Sequence, residues 1–226
     1  LSDRLIQWSA SGVAGVWAQE NTRESIYDAF RRKETFATSG PRIKVRFFAG
    51  YGLANLKLED ESFIKDLYVM GTSMGGTLSQ EGNNEPTFLV WAIRDPLGAP
   101  LQRTQIIKGW LKDGEHREKV FDVACSDGLS IDPETYRCPD NGARVDLTRC
   151  SISANKGATE LKTFWKDPDF KEDQEAFYYT RVLENPVCRW STWDAIRVGS
   201  KPRSDIPAII QERAWSSPIW FKPKSN

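Results

Sequence analysis

The chain has 226 residues, is 39% hydrophobic and 12% aromatic, and carries 31 basic against 31 acidic residues. That is long enough to bury a core in one large domain, or in one medium domain with an appendage. Balanced charge argues against a global grip on nucleic acid or anionic membrane, and no apolar run approaches the roughly 20 residues that span a bilayer.

The chain opens on Leu1 rather than Met, and with no basic stretch leading into an apolar one no secretory signal is expected among these residues. Such an opening suits a mature or excised piece better than a whole gene product. "SGVAGVWAQE" (11–20) is short, apolar and bounded by Gly and polar residues, which predicts a buried strand of a parallel sheet. Asn21 and Glu24 have the spacing of a capping box. Ile26, Tyr27 and Phe30 make one apolar face of the helix that follows. Arg31, Arg32 and Lys33 fill its last turn, where cations suit the carbonyl end of the dipole. "TFATSG" returns as a strand. Residues 11–39 therefore read as a β-α-β unit, which cannot cover its own sheet and must pack on something.

Beyond Pro41 the pattern becomes β. In "RIKVRFF", Ile43, Val45 and Phe47 alternate with Lys44 and Arg46. "TFLVWAIRD" (87–95) is apolar on both faces and reads as a central strand. "TQIIKGWL" and "REKVFDVAC" flank Asp113-Gly114, a hairpin signal. "AFYYTRVLE" (176–184) and "SPIWF" (217–221) read as further strands. "MGTSMGG", "DPLGAP", "WKDPDF" and "VGSKPRSDIP" read as loops, and short helices are expected over 158–165 and 191–197. The predicted class is mainly β: an antiparallel β-sandwich over 41–226, preceded by the β-α-β segment over 1–40.

Cys125, Cys138, Cys150 and Cys188 are the four cysteines, and their spacings are not those of a zinc knuckle. The turn-rich stretch between Cys125 and Cys138 favours a disulfide there, hence an oxidising compartment, periplasmic or extracellular. Four reduced cysteines in a cytoplasmic protein are the alternative.

Chemistry is sparse. His116 is the single histidine and sits beside the predicted hairpin turn, where a solvated turn residue is the simplest reading. A Ser-His-Asp or Cys-His group would have to use it, and one histidine cannot build a His-based metal centre. "DPDFKED" (167–173) lacks EF-hand spacing and reads as a polar turn rather than a calcium site. "MGTSMGGTLS" does not match a phosphate loop. Trp91 and Trp110 lie in strand patterns and are expected in the core. Trp190 and Trp193, in "CRWSTWDA", either pack on the rim or stack on a sugar or partner; Trp215 is a third such candidate. Glu212 and Arg213 suggest an ion pair near a domain junction.

"GVWAQENTRESIYDAFRRKETFATSGPRIKVRFF", "FLVWAIRDPLGAPLQRTQIIKGWL", "DPDFKEDQEAFYYTRVLENPVCRWSTWDAIRVG" and "IQERAWSSPIWF" resemble segments of a bacterial family, domain-of-unknown-function family 3604. The resemblance runs over nearly the whole chain. Family members are longer and look like relatives of the PHP (polymerase and histidinol phosphatase) metallohydrolases. The resemblance implies an N-terminal α/β barrel whose His and Asp residues hold a divalent metal. The barrel's last βα unit ends in an "ETFATSG"-like strand, and a β-rich C-terminal domain follows. By that reading residues 1–40 are the terminal barrel unit. Glu20 and Asn21 then lie near the barrel mouth, although helix capping explains them equally well. No metal ligand of the family carries over to a position here, so no cofactor is expected in this chain.

Three functions follow as expectations. The chain is the accessory, catalytically silent part of a PHP-like hydrolase, partnered by the barrel region of the same protein. Alternatively it is a carbohydrate- or partner-binding sandwich using Trp190, Trp193 or Trp215. Thirdly, its β-α-β segment mediates self-association through an apolar face.

Overall fold

The computed structural model describes Trp8 and residues 12–224; Leu1 and Ser11 lie outside them. Its strands are β1 (Val13–Val16), β2 (Thr35–Thr38), β3 (Lys44–Gly50), β4 (Gly71–Ser73), β5 (Thr77–Ser79), β6 (Thr87–Ile93), β7 (Leu101–Lys112) and β8 (Glu115–Cys125). They continue as β9 (Val145–Asp146), β10 (Ser151–Ile152), β11 (Glu160–Trp165), β12 (Ala176–Glu184), β13 (Val187–Cys188), β14 (Ile209–Ile210), β15 (Arg213–Ser216) and β16 (Ile219–Lys222). The α-helices are α1 (Arg23–Arg31), α2 (Phe63–Met70) and α3 (Trp190–Arg197). The chain is mainly β, with antiparallel sheets arranged as a sandwich.

Among the described residues a large sheet of eight strands faces a small sheet of four, ordered β11-β6-β3-β4. The large sheet is organised by β12. One edge of β12 pairs along its length with β7, which pairs onward to β8. The other edge is shared: residues 176–178 pair with β16 and residues 181–183 with β15. Asp113 (φ 54°) and Gly114 (φ 79°) are both left-handed in the β7–β8 turn, as a tight hairpin of matching twist requires.

Strand alternation creates the core. Phe47, Phe88 and Val90 of the small sheet meet Ile106, Phe121, Tyr178, Ile219 and Phe221 of the large one. The Phe88 and Tyr178 rings lie 4.5 Å apart between the layers. Each such ring removes about 1.5–3 kcal/mol of apolar exposure. The other face of β6 is apolar because α2 covers it: Phe48, Leu53, Phe63, Leu67 and Leu89 form a second buried cluster. Two covered faces account for the unbroken hydrophobic run in "TFLVWAI".

Several expectations are corrected. Residues 160–165 are strand β11, not helix, because their register on β6 places Leu161 in the core of the layer. Part of "MGTSMGG" is edge strand β4, paired with β3. The β1 and β2 strands pair antiparallel, Val13 opposite Thr38 through Val16 opposite Thr35, and not as neighbours in a parallel sheet. The Trp17 N–H donates to the Glu34 carbonyl and lengthens that ladder, while Lys33 (φ 58°) turns the chain back after α1. The far edge of β2 pairs with β15, so hydrogen bonding runs unbroken from this segment into the large sheet. The Trp17 indole N–H also donates to the Val45 carbonyl at 2.6 Å beneath the Arg46 guanidinium, 3.7 Å from the ring centre. The segment over 12–39 is thereby stitched to both sheets.

Two disulfides hold the long loops. Cys125–Cys138 closes the polar stretch after β8, as expected. Cys150–Cys188 ties the β9–β10 hairpin to β13.

Candidate functional site

Buried polar groups first define what is structural. Lys108 is buried on the inner side of β7; its Nζ donates to Asp167 Oδ2 at 2.6 Å and to the Asp169 carbonyl at 2.7 Å. The Tyr178 hydroxyl donates to the same Asp167 oxygen at 2.8 Å. Burial and the Asp167 charge push the Tyr178 phenol above its usual range. Asp169 pairs with Lys119. The first two carboxylates of "DPDFKED" are thus held by lysines, and the loop is a strut over the core rather than a cation site.

A second network lies at one end of the sandwich, where the four family-like stretches converge. The Ser39 hydroxyl donates to Glu212, and the Arg42 N–H donates to Asp95 Oδ2 at 2.7 Å. Gln211 Nε2 donates to Gln102 Oε1 at 2.9 Å, and Asn141 Nδ2 to Asn185 Oδ1 at 2.9 Å. Glu212 and Arg213, expected to need partners, have hydrogen-bond ones: Glu212 is held by Ser39, and Arg213 Nε donates to the Gln211 carbonyl. Glu184 is 1% exposed. Its Oε2 accepts the Ala99 N–H at 3.2 Å, and its Oε1 has no hydrogen-bond partner. Burial pushes its carboxyl up to about 8; the Ala99 bond opposes that rise, and the charges of Glu212 and Asp95 add to it.

The open site is on the outer face of the large sheet. A cleft of about 930 Å3 runs over the ends of β7, β8, β12 and β16. In "AFYYTRVLE" alternation sends Ala176 and Tyr178 inward and Phe177 outward. Phe177 reaches over Gly109 of β7: a Cβ there would sit 2.2 Å from the ring, so this placement requires glycine. Trp220 of β16 leans on Phe177 with ring centres 5.2 Å apart and is 47% exposed. Trp110 and His116 line the same cleft. Trp110 is partly buried against the main core, and His116 stands just after the turn, opposite Leu111.

The residues singled out from sequence are dispersed. Glu20 and Asn21 are exposed before α1. The helix is capped one residue later than expected: the Thr22 hydroxyl accepts the Ser25 N–H, and the Ser25 hydroxyl accepts the Glu20 N–H. Trp190 donates its indole N–H to the Trp8 carbonyl at 2.9 Å. Trp193, on the same helix, is exposed beside Arg197. Trp215 is half-buried in β15, opposite Arg181 and Ala37. Trp91 packs on Phe63 and Lys162 under α2, at the outer side of the small sheet. Phe177 and Trp220 were not singled out from sequence. The legible signal was that both fall on the outward positions of their strands. What brings them together is the β12–β16 register, Phe177 opposite Trp220, set by tertiary structure.

Among the described residues no group of three or more His, Cys, Asp or Glu is placed to hold a metal ion, and no helix is long and apolar enough to cross a membrane.

The fold and its cleft define a disulfide-bonded β-sandwich protein with a helix-covered small sheet and an aromatic cleft on the large one. The chain belongs to the family described as "Protein of unknown function (DUF3604)", which it matches over residues 2–223. No curated protein and no solved structure matches it significantly.

Proposed function

We propose that this chain is the accessory β-sandwich portion of a longer PHP-like metal-dependent hydrolase, with the α/β barrel region of the same protein as its main partner. The observation that carries this reading is the exposed apolar surface of the β1–α1 segment. Val13 is 43%, Tyr27 61% and Phe30 51% exposed, and β1 is the last strand of the large sheet's order. An amphipathic helix normally turns such residues toward a partner surface. Here Ala29 is buried against the sandwich, whereas Tyr27 and Phe30 face away from it. An unpaired strand edge beside them offers further hydrogen bonds. The family resemblance is what suggests the barrel region as that partner. The residues described do not fit a metal site, so no step of a hydrolytic reaction is assigned to them.

In this account the sandwich supports the barrel. Where the β1–β2 segment joins β15, Ser39 bonds Glu212 and the Arg213 backbone, and Arg42 donates to Asp95 just after β6, which ties the end of the segment to both sheets. The test is metal analysis and hydrolase assay of this chain and of the product of the complete reading frame, each supplied with zinc or manganese. The longer product is expected to hold metal and to be active, and this chain to be neither. One tightly bound transition metal per copy of this chain would overturn the reading.

A further inference from the structure

The geometry points to the outer-face cleft as a binding site for a short stretch of pyranose units, an inference that does not depend on the accessory reading. Three observations carry it. The floor is aromatic: the half-buried Phe177 ring reaches over Gly109, and Trp220 stands nearly half exposed beside it. The exposed Trp220 ring, with the uncovered part of Phe177, leaves apolar area in water that a ligand with a flat apolar face would cover. The rim carries both signs of charge: Glu118, Asp173 and Glu175 alternate with Arg117, Lys171 and Lys222. Donors and acceptors around a flat apolar floor match a sugar ring, whose C–H face stacks and whose edge hydroxyls both donate and accept. The cleft, at about 930 Å3, sits at the upper end of the roughly 300–1,000 Å3 typical of small-ligand sites.

The same rim disfavours the competing ligand classes. Equal numbers of the named acids and bases give no net attraction for a phosphate backbone, and six charged side chains in the lining disfavour a lipid chain. The two disulfides are compatible with an oxidising environment. Gly109 leaves the room that Phe177 occupies: a side chain there would displace the ring from its present place.

The test is isothermal calorimetry and tryptophan fluorescence of the intact chain against cellohexaose, chitohexaose and a hexamer of polygalacturonate. At least one is expected to bind with a millimolar or tighter Kd, and the preferred one separates neutral, acetamido and acidic sugars. Trp220→Ala is expected to weaken that binding by about tenfold or more, since it removes one ring of the platform. Trp220→Phe, which keeps an aromatic ring, recovers part of the loss; Trp193→Ala leaves the affinity unchanged. Near-UV circular dichroism of each variant establishes that it is folded. Binding to none of the three sugars, or binding that a folded Trp220→Ala variant leaves intact, overturns the inference.

Discussion

Replacing Glu184 by glutamine should change how stability depends on pH. The carboxyl is 1% exposed and has one unpartnered oxygen close to Asp95 across Gly98. An ordinary glutamate titrates near 4.5, and burial raises this one to about 8. The folded protein therefore holds a proton that the unfolded chain releases above about 4.5. The contribution of Glu184 to stability is greatest below that pH and declines as pH rises toward 8, after which both states are ionised and its slope vanishes. At about 1.4 kcal/mol per pH unit the whole window corresponds to roughly 5 kcal/mol. Glu184→Gln is neutral at every pH and keeps the side chain's shape, so its decline across the window should be much smaller. Urea unfolding of both proteins at pH 5, 6, 7, 8 and 9 measures this. The wild-type and variant curves should diverge from pH 5 to 8, with the variant the more stable at pH 8, and run parallel above it. Parallel curves throughout would refute the assignment of a buried, protonated Glu184.

Three further outcomes are expected. Lys108→Ala leaves Asp167 buried without its cation and should cost about 3–5 kcal/mol in urea unfolding, whereas Lys119→Ala, which removes the more exposed partner of Asp169, should cost about 1 kcal/mol or less. Replacing both Cys150 and Cys188 by alanine opens a loop of 38 residues against 13 for Cys125 and Cys138. Chain-entropy reasoning gives losses of about 4 and about 3 kcal/mol respectively, and equilibrium unfolding of the two double variants orders them. Phe88→Ala removes a fully buried ring between the two layers and should cost about 3–5 kcal/mol, visible as a lower denaturation midpoint.

Much of the β architecture was legible because burial writes itself as alternation. Ile43, Val45 and Phe47 all point into the core as their spacing predicts, and Asp113-Gly114 makes the hairpin it signals. The Cys125–Cys138 bridge was legible because it is local. Cys150–Cys188 was not, since its partners meet only when β13 packs beside the β9–β10 hairpin. The helix α2 left a readable trace in Phe63, Ile64 and Leu67, but that trace lies between loop signals. "GATELKTF" carried helix-forming residues, and cross-strand pairing on β6 overrode their preference. The antiparallel β1–β2 pairing was hidden because a helix between two strands ordinarily signals a parallel crossover. The cleft was the least visible feature. Its rings come from β7, β12 and β16, more than forty residues apart, and only strand register sets Phe177 against Trp220. Trp190 and Trp193, in a stretch that reads as a loop or short helix, share helix α3, whereas Trp215 lies half-buried in β15, so the three do not form one site.

The accessory role rests on what covers Val13, Tyr27 and Phe30. Hydrogen–deuterium exchange over residues 13–33 measures this directly, compared between this chain and the product of the complete reading frame. The account predicts that the amides of β1 and α1 exchange at least tenfold more slowly in the longer product, while the amides of β6 and β12 are unchanged. Equal exchange over residues 13–33 in the two proteins, or a reading frame with no barrel region upstream, would contradict it.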